Sequence, residues 1–231
     1  MSSNATVTGE VEPPFPGQRL PAICVRLFDV GCALTGLLLT SPVFVLAWVA
    51  IWIDDGRPCL FSQRRVGWKG RPFSIWKFRT MRAGGSGPAI TITGDRRVTC
   101  VGTILRKFKL DELPQFINVL KGDMSMIGPR PEVPEFVEPG NRLWDQVLMV
   151  RPGITDLATL LYRNEEQLLA SSAQPELDYH RTILPAKLAL NIEYMRSRSL
   201  RRDIRLLVLT AWYSLRPERF RSHHVETLLR G

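Results

Sequence analysis

The chain has 231 residues, and its 31 Lys and Arg against 22 Asp and Glu leave a formal charge of +9. That length admits one compact domain with a short appendage, and a hydrophobic share of 45% excludes a mainly disordered chain. Four cysteines without a C-x-x-C pair, beside three histidines, exclude a zinc knuckle or a disulfide scaffold.

Residues 1–18 are polar and proline-rich (Pro13, Pro14, Pro16) and read as a disordered leader. The isolated cysteines suit a reducing compartment, which places the soluble part in the cytosol.

From Val30 to Ile53 run 24 residues without a charge, between Asp29 and Asp54. This is a membrane segment, too long for the apolar core of a signal peptide. At ~1.5 Å per residue it reaches about 36 Å, enough to cross a ~30 Å hydrocarbon core. Ser41-Pro42 at its midpoint leaves halves of roughly 17 Å, each too short to span alone. Basic residues flank both ends, Arg19 and Arg26 before and Arg57, Arg64 and Arg65 after, which would keep both on the cytoplasmic side. A spanning helix and a helix-break-helix that re-enters both remain open at this point, because proline is tolerated in true spans.

Between Arg57 and Leu110 stand thirteen basic residues and one acid, Asp95, while the remainder of the chain is slightly acidic. The positive field therefore belongs to one quarter of the sequence, and its partner is an anion: nucleic acid, lipid headgroups or a phosphorylated small molecule. Leu60 to Arg82 alternates, Phe73, Ile75 and Lys77 on one side and Ser74, Trp76 and Phe78 on the other, and reads as a short hairpin or extended segment. Ala83 to Pro88 is a glycine-rich loop.

Leu113, Phe116, Ile117 and Leu120 fall at i, i+3, i+4 and i+7, so a helix is predicted over Asp111 to Leu120, stopped by Gly122. Gly128 to Pro139, with four prolines, is irregular. A last helix is predicted from a Ser199 cap to about Leu215, with Arg201, Arg202 and Arg205 beside Leu200, Ile204, Leu207 and Val208. It either lies on a membrane or packs on the domain, and amphipathicity does not distinguish these.

Chemistry concentrates in Arg106 to Pro131. Asp111 and Glu112 open the predicted helix, where free N–H groups and the dipole favour ionised carboxylates. Such acids are commonly no more than an N-cap and a first-turn carboxylate. Here Arg106, Lys107 and Lys109 precede them, and Arg130 follows in Gly-Pro-Arg-Pro. An acidic pair among cations suits phosphoryl transfer, with a carboxylate attacking phosphorus and Mg2+ on oxygen ligands. Neither a P-loop nor a dinucleotide fingerprint is present.

Five pieces in order resemble the bacterial sugar transferases, the monotopic polyprenyl-phosphate phosphoglycosyl transferases. They are Arg26-Leu27-Phe28-Asp29 entering the apolar run with Ser41-Pro42; Lys77-Phe78-Arg79-Thr80-Met81; Leu110-Asp111-Glu112-Leu113-Pro114-Gln115; Lys121-Gly122-Asp123-Met124-Ser125 running on to Gly128-Pro129-Arg130-Pro131; and Arg151-Pro152-Gly153-Ile154-Thr155. The resemblance covers roughly residues 26–215 and is closest to the minimal catalytic form. It implies transfer of a sugar phosphate from a nucleoside diphosphate sugar, typically a UDP-sugar, to polyprenyl phosphate, usually undecaprenyl phosphate. The reaction would release UMP and start a surface glycan such as exopolysaccharide or lipopolysaccharide, at the cytoplasmic face of the bacterial inner membrane. It further implies Asp111 as nucleophile, Mg2+ on Asp111 and Glu112, and donor contacts from Arg106, Arg130, Lys77 and Arg79. It favours the re-entrant anchor, broken at Ser41 and Pro42.

The expected fold is α+β and mainly helical. It comprises a leader at 1–18, a re-entrant anchor at 19–56, a cytoplasmic catalytic domain at 57–220 with a short β-hairpin and amphipathic interfacial helices, and a tail at 221–231. The partners expected are the donor, the lipid phosphate and the bilayer, not nucleic acid, and a homo-oligomer is compatible with the sequence. Two alternatives are a non-enzymatic basic membrane module binding lipid or RNA, and a metal-dependent lipid phosphatase. The chain departs from the family pattern at Cys100 and Thr103 and again from Asp156 to Glu165, which bears on sugar specificity.

Overall fold

A computed structural model describes residues 21–82 and 94–230; the leader at 1–18 and the loop at 83–88 lie outside the described residues. Helix α1 (Ala22–Asp55) leads into a hairpin of β1 (Leu60–Val66) and β2 (Pro72–Phe78), then α2 (Cys100–Lys107) and α3 (Gln115–Lys121). Strand β3 (Ser125–Ile127), α4 (Arg142–Val147), β4 (Gly153–Thr155), α5 (Leu157–Leu161), α6 (Glu165–Ala170) and α7 (Pro175–Asp178) follow. A π turn at Tyr179–Ile183 opens α8 (Leu184–Arg196), and α9 (Leu200–Leu215) and α10 (Ser222–Arg230) end the fold. The described residues are mainly helical with two small two-stranded sheets, one of them the expected hairpin. The parallel pairing of β3 with β4 has no signal in three-residue segments.

Helix α1 is long and apolar enough to cross a membrane, yet both of its ends are fastened to the rest of the chain. Near its start, Arg26 donates to the carbonyls of Val119 (2.6 Å) and Leu120 (2.8 Å) at the end of α3. The Asp29 carboxylate accepts from Ser125 Oγ (2.9 Å) and Met126 N (2.8 Å). At its end, Asp54 accepts from Val101 N at the start of α2, and in its second half Phe44 packs against Phe78 with tilted rings, centroids 4.6 Å apart. Between these ends the helix is largely exposed, with Leu38 at 75%.

The helical backbone continues through Ser41-Pro42 rather than breaking there. Proline cannot donate to the Leu38 carbonyl, and Ser41 Oγ takes that carbonyl at 2.9 Å, while Thr40 Oγ1 bonds Gly36 O. The serine thus supplies the donor that its neighbour removes. Gly36 is where Phe116 of α3 presses on α1: a Cβ there would stand 2.8 Å from the ring.

The main core gathers Ile75, Val119, Met124, Ile127, Trp144, Leu157, Leu188, Tyr194 and Leu206; a second, smaller cluster of Ala47, Ile51, Cys59, Phe78 and Leu105 sits against the end of α1. Helix α9 begins at the expected Ser199 cap, whose Oγ accepts from Arg202 N, and ends at Leu215. Its Asp203, Leu206 and Tyr213 are buried, while Leu200, Ile204, Val208, Trp212 and Leu215 form a second, exposed apolar stripe. The stretch read as a tail carries α10, which buries Val225 in the main core; a nine-residue helix with few apolar positions gives little periodicity to read.

Candidate active site

The helix expected from Asp111 starts later. A 3₁₀ turn at Leu110–Glu112 holds the acid pair, and α3 begins at Gln115 after Pro114. Lys109 introduces the turn in the left-handed region (φ 56°, ψ 22°), a conformation a non-glycine residue holds only when its surroundings enforce it. The acids therefore do not cap α3; the turn carries them inward, and each is only 8% exposed.

Three elements bring the other charges to that turn. Strand β2 pairs with β1 in the register Phe61↔Lys77, Gln63↔Ile75 and Arg65↔Phe73, which confirms the alternation read from sequence. Its free edge is held by the buried Asn118 side chain, which accepts from Trp76 N (3.0 Å) and donates to Ser74 O (2.8 Å). This lock between β2 and α3 puts Lys77 Nζ 3.2 Å from Glu112 Oε1. Arg130 arrives on the Gly-Pro-Arg-Pro loop, which Gly128 and Gly153 press against β4: a Cβ on Gly153 would lie 2.1 Å from Gly128 N, so only glycine allows the approach. Arg130 then grips Glu112 with two nitrogens, at 2.5 and 3.4 Å.

The two adjacent carboxylates differ in consequence. Burial alone would raise Glu112, but Arg130, Lys77 and Lys109 outweigh it and hold its carboxyl well below the usual range. Burial raises the Asp111 carboxyl, the charge of Glu112 raises it further, and Lys77, Lys109 and Arg106 only partly oppose this. The expectation that helix position keeps Asp111 freely ionised is thus corrected: the dipole it relied on belongs to a helix that starts beyond it. Asp111 Oδ1 is buried without a hydrogen-bond partner. Lys77, Lys109 and Arg106 lie near enough to act electrostatically on that carboxyl, so its surroundings are not simply apolar.

Of the expected donor contacts, the structure gathers Lys77 and Arg130 around the pair and places Arg106 within electrostatic reach of Asp111, with its guanidinium paired to Glu166. It does not bring Arg79 there. That side chain is 6% exposed and caps α1, donating to Asp55 O (2.6 Å) and Gly56 O (2.9 Å) beside the Asp55 carboxylate. The alternation that puts Lys77 and Arg79 on one side ends with β2 at Phe78, so the strand no longer directs Arg79.

Sequence reasoning missed a supporting layer. Arg65 donates to Pro131 O (3.2 Å) and pairs with Glu132 (3.4 Å), and Tyr179 Oη donates to Glu132 at 2.6 Å. These contacts hold the backbone that carries Arg130, and only the pairing of Arg65 across the hairpin from the Lys77 face could have hinted at them. Ser41 and Pro42 lie within α1, apart from this cluster.

Among the described residues no group of three or more His, Cys, Asp or Glu forms a metal cage. A Mg2+ ion that arrives with substrate phosphates needs only one or two carboxylates, and the free Asp111 oxygen beside Glu112 fits that demand. Glu112 has both oxygens engaged by Arg130, one of them also by Lys77.

Comparison with known proteins follows the same stretch of chain. Residues 20–217 match the model of the family described as bacterial sugar transferase. A UDP-glucose:undecaprenyl-phosphate glucose-1-phosphate transferase of Caulobacter vibrioides is 36% identical over 84% of this chain and 72% of its own length. The exopolysaccharide production protein ExoY of Sinorhizobium fredii is 36% identical over 68% of this chain and 75% of its own. A UDP-N-acetylgalactosamine-undecaprenyl-phosphate N-acetylgalactosaminephosphotransferase of Aeromonas hydrophila is 42% identical over 63% of this chain, which spans 37% of that protein.

Proposed function

The chain belongs to the bacterial sugar transferase family, and from that premise we propose that it transfers a sugar phosphate from a UDP-sugar to undecaprenyl phosphate through an adduct on Asp111. The observation that carries this reading is the buried Asp111 oxygen without a partner, set beside an ionised Glu112 and three cations.

An Asp111 carboxylate oxygen attacks the β-phosphorus of the donor. The bond from that phosphorus to the oxygen bridging the two phosphates breaks, and its electron pair leaves on UMP. The sugar phosphate stays on Asp111 as an acyl phosphate. An oxygen of undecaprenyl phosphate then attacks the same phosphorus, and the Asp111–phosphorus bond breaks to return the carboxylate. Lys77 and Arg130 lie where they stabilise charge on the phosphoryl oxygens, in a site partly withdrawn from water. Glu112 holds both of them in place, and Arg106 approaches from α2. Asp111, with Glu112 beside it, would hold Mg2+, which when bound neutralises diphosphate charge.

The bilayer enters through α1. Both ends fastened to one domain, with exposed apolar residues such as Leu38 and Leu39 between them, support an anchor that lies in the cytoplasmic face of the membrane without crossing it. The exposed stripe of α9, flanked by Arg201, Arg205 and Arg216, suits the same interface.

The test is mass spectrometry of the full chain after exposure to UDP-sugar alone. A phosphosugar on the Asp111 peptide, with one UMP released per enzyme, is expected. Unmodified enzyme that frees phosphate from undecaprenyl phosphate would instead establish the phosphatase reading, and an inert protein the binding module.

A further inference from the structure

Arg106 is not idle in the free protein. It sits in the last turn of α2, near enough to Asp111 for its charge to favour the ionised carboxylate. Its guanidinium is occupied by Glu166, the second residue of α6. The segment just before Glu166 is tied twice: Glu165 pairs back to Lys187 of α8 at 2.8 Å, and Arg163 donates to the Lys107 carbonyl at 3.5 Å. The Glu166 side chain is 48% exposed, and its carboxylate takes the Arg106 guanidinium. Glu166 follows directly on the stretch Asp156 to Glu165 and lies outside the five pieces that carry the resemblance.

We propose that Glu166 sets the donor affinity, holding Arg106 in the free protein so that the diphosphate of the incoming nucleotide must displace it. The inference rests on the donor-binding role proposed above for Arg106. An arginine fork serves one planar or tetrahedral anion at a time with its paired donors, and a diphosphate offers more oxygens and charge than one carboxylate. Glu166 is a local stand-in for that anion, and the exchange lets Arg106 swing from α6 toward the phosphates beside Asp111. A partly exposed ion pair is weak, so the effect is a modest one, about two- to fivefold on binding.

The test is calorimetric titration of UDP into the full chain in lipid nanodiscs, for wild type, Glu166→Gln, Arg106→Gln and the double variant. Glu166→Gln should bind UDP about two- to fivefold more tightly, Arg106→Gln more weakly, and the double variant like Arg106→Gln alone. Unchanged or weaker UDP binding by Glu166→Gln overturns the proposal, as does equal tightening when Arg106 is already gone. UMP release from a UDP-sugar with undecaprenyl phosphate, measured on wild type from the same preparation, reports on the transferase reading separately. Its absence would end that reading while the titration still decides the role of Glu166; a wild-type chain that does not bind UDP overturns the role given to Glu166, and UMP release alone decides the transferase reading.

Discussion

Two buried acid–base clusters among the described residues treat their aspartates differently. Beneath α9, Arg198 Nε donates to Asp203 Oδ2 at 2.7 Å and Tyr194 Oη to Asp203 Oδ1 at 2.9 Å, so both oxygens of a carboxylate only 1% exposed are satisfied. At the 3₁₀ turn, Asp111 keeps an oxygen free. Burial pushes both aspartates above the ordinary carboxylate range. A raised carboxyl therefore does not mark the site here; what sets Asp111 apart from Asp203 is a carboxylate oxygen left without a donor, beside a clamped Glu112 and within electrostatic reach of Lys77, Lys109 and Arg106. The α9 cluster staples the chain, and the turn keeps a reactive group unspent.

Replacing Asp111 breaks this contrast most severely. Asp111→Asn should lower turnover by about 10⁴-fold or more, as loss of a nucleophile does, measured as UMP release. The same variant should be more stable near neutral pH. A carboxyl raised in the folded state favours folding below its unfolded value, and that contribution is lost as pH rises through the folded value. Removing the charge should therefore raise the Tm by a few degrees, on the order of 1 kcal/mol, in a thermal scan at pH 7.

Asp203→Ala should do the reverse. It strands the Arg198 guanidinium and the Tyr194 hydroxyl, costing about 3–5 kcal/mol and on the order of 10 °C in Tm. The folded fraction should keep its kcat; a fall in kcat without loss of stability would join the two clusters functionally.

The smallest effect sharpens the pair itself. Adduct formation on wild type should show an acid limb above the ordinary carboxylate range, since Asp111 must lose its proton to attack. Glu112→Gln removes the neighbouring charge that raises Asp111 and frees Lys77 and Arg130 to favour its anion, so the limb should move to lower pH. A limb that stays in place would mean that Glu112 does not act on Asp111.

Much of this was legible in the residues. The alternation of Phe73, Ile75 and Lys77 foretold the hairpin face, Ser199 and Gly122 foretold where two helices start or stop, and the LDELPQ and GPRP pieces held Asp111, Glu112 and Arg130. Arg79 was misplaced because strand period ends where the strand does. Arg65, Glu132, Tyr179 and Glu166 were invisible because each reaches its partner across many residues of chain, and spacing carries information only over a turn of helix or a few residues of strand.

Residue types alone settled that a basic quarter of the chain follows an apolar segment, and that an acid pair lies among cations, since composition and local period determine charge density and amphipathic faces. Which of two adjacent carboxylates is stripped of partners and which is clamped was decided by tertiary structure. Desolvation and ion pairing depend on what β2, the Gly128–Pro131 loop and the 3₁₀ turn bring within a few ångströms of each other, and no single segment contains that distance.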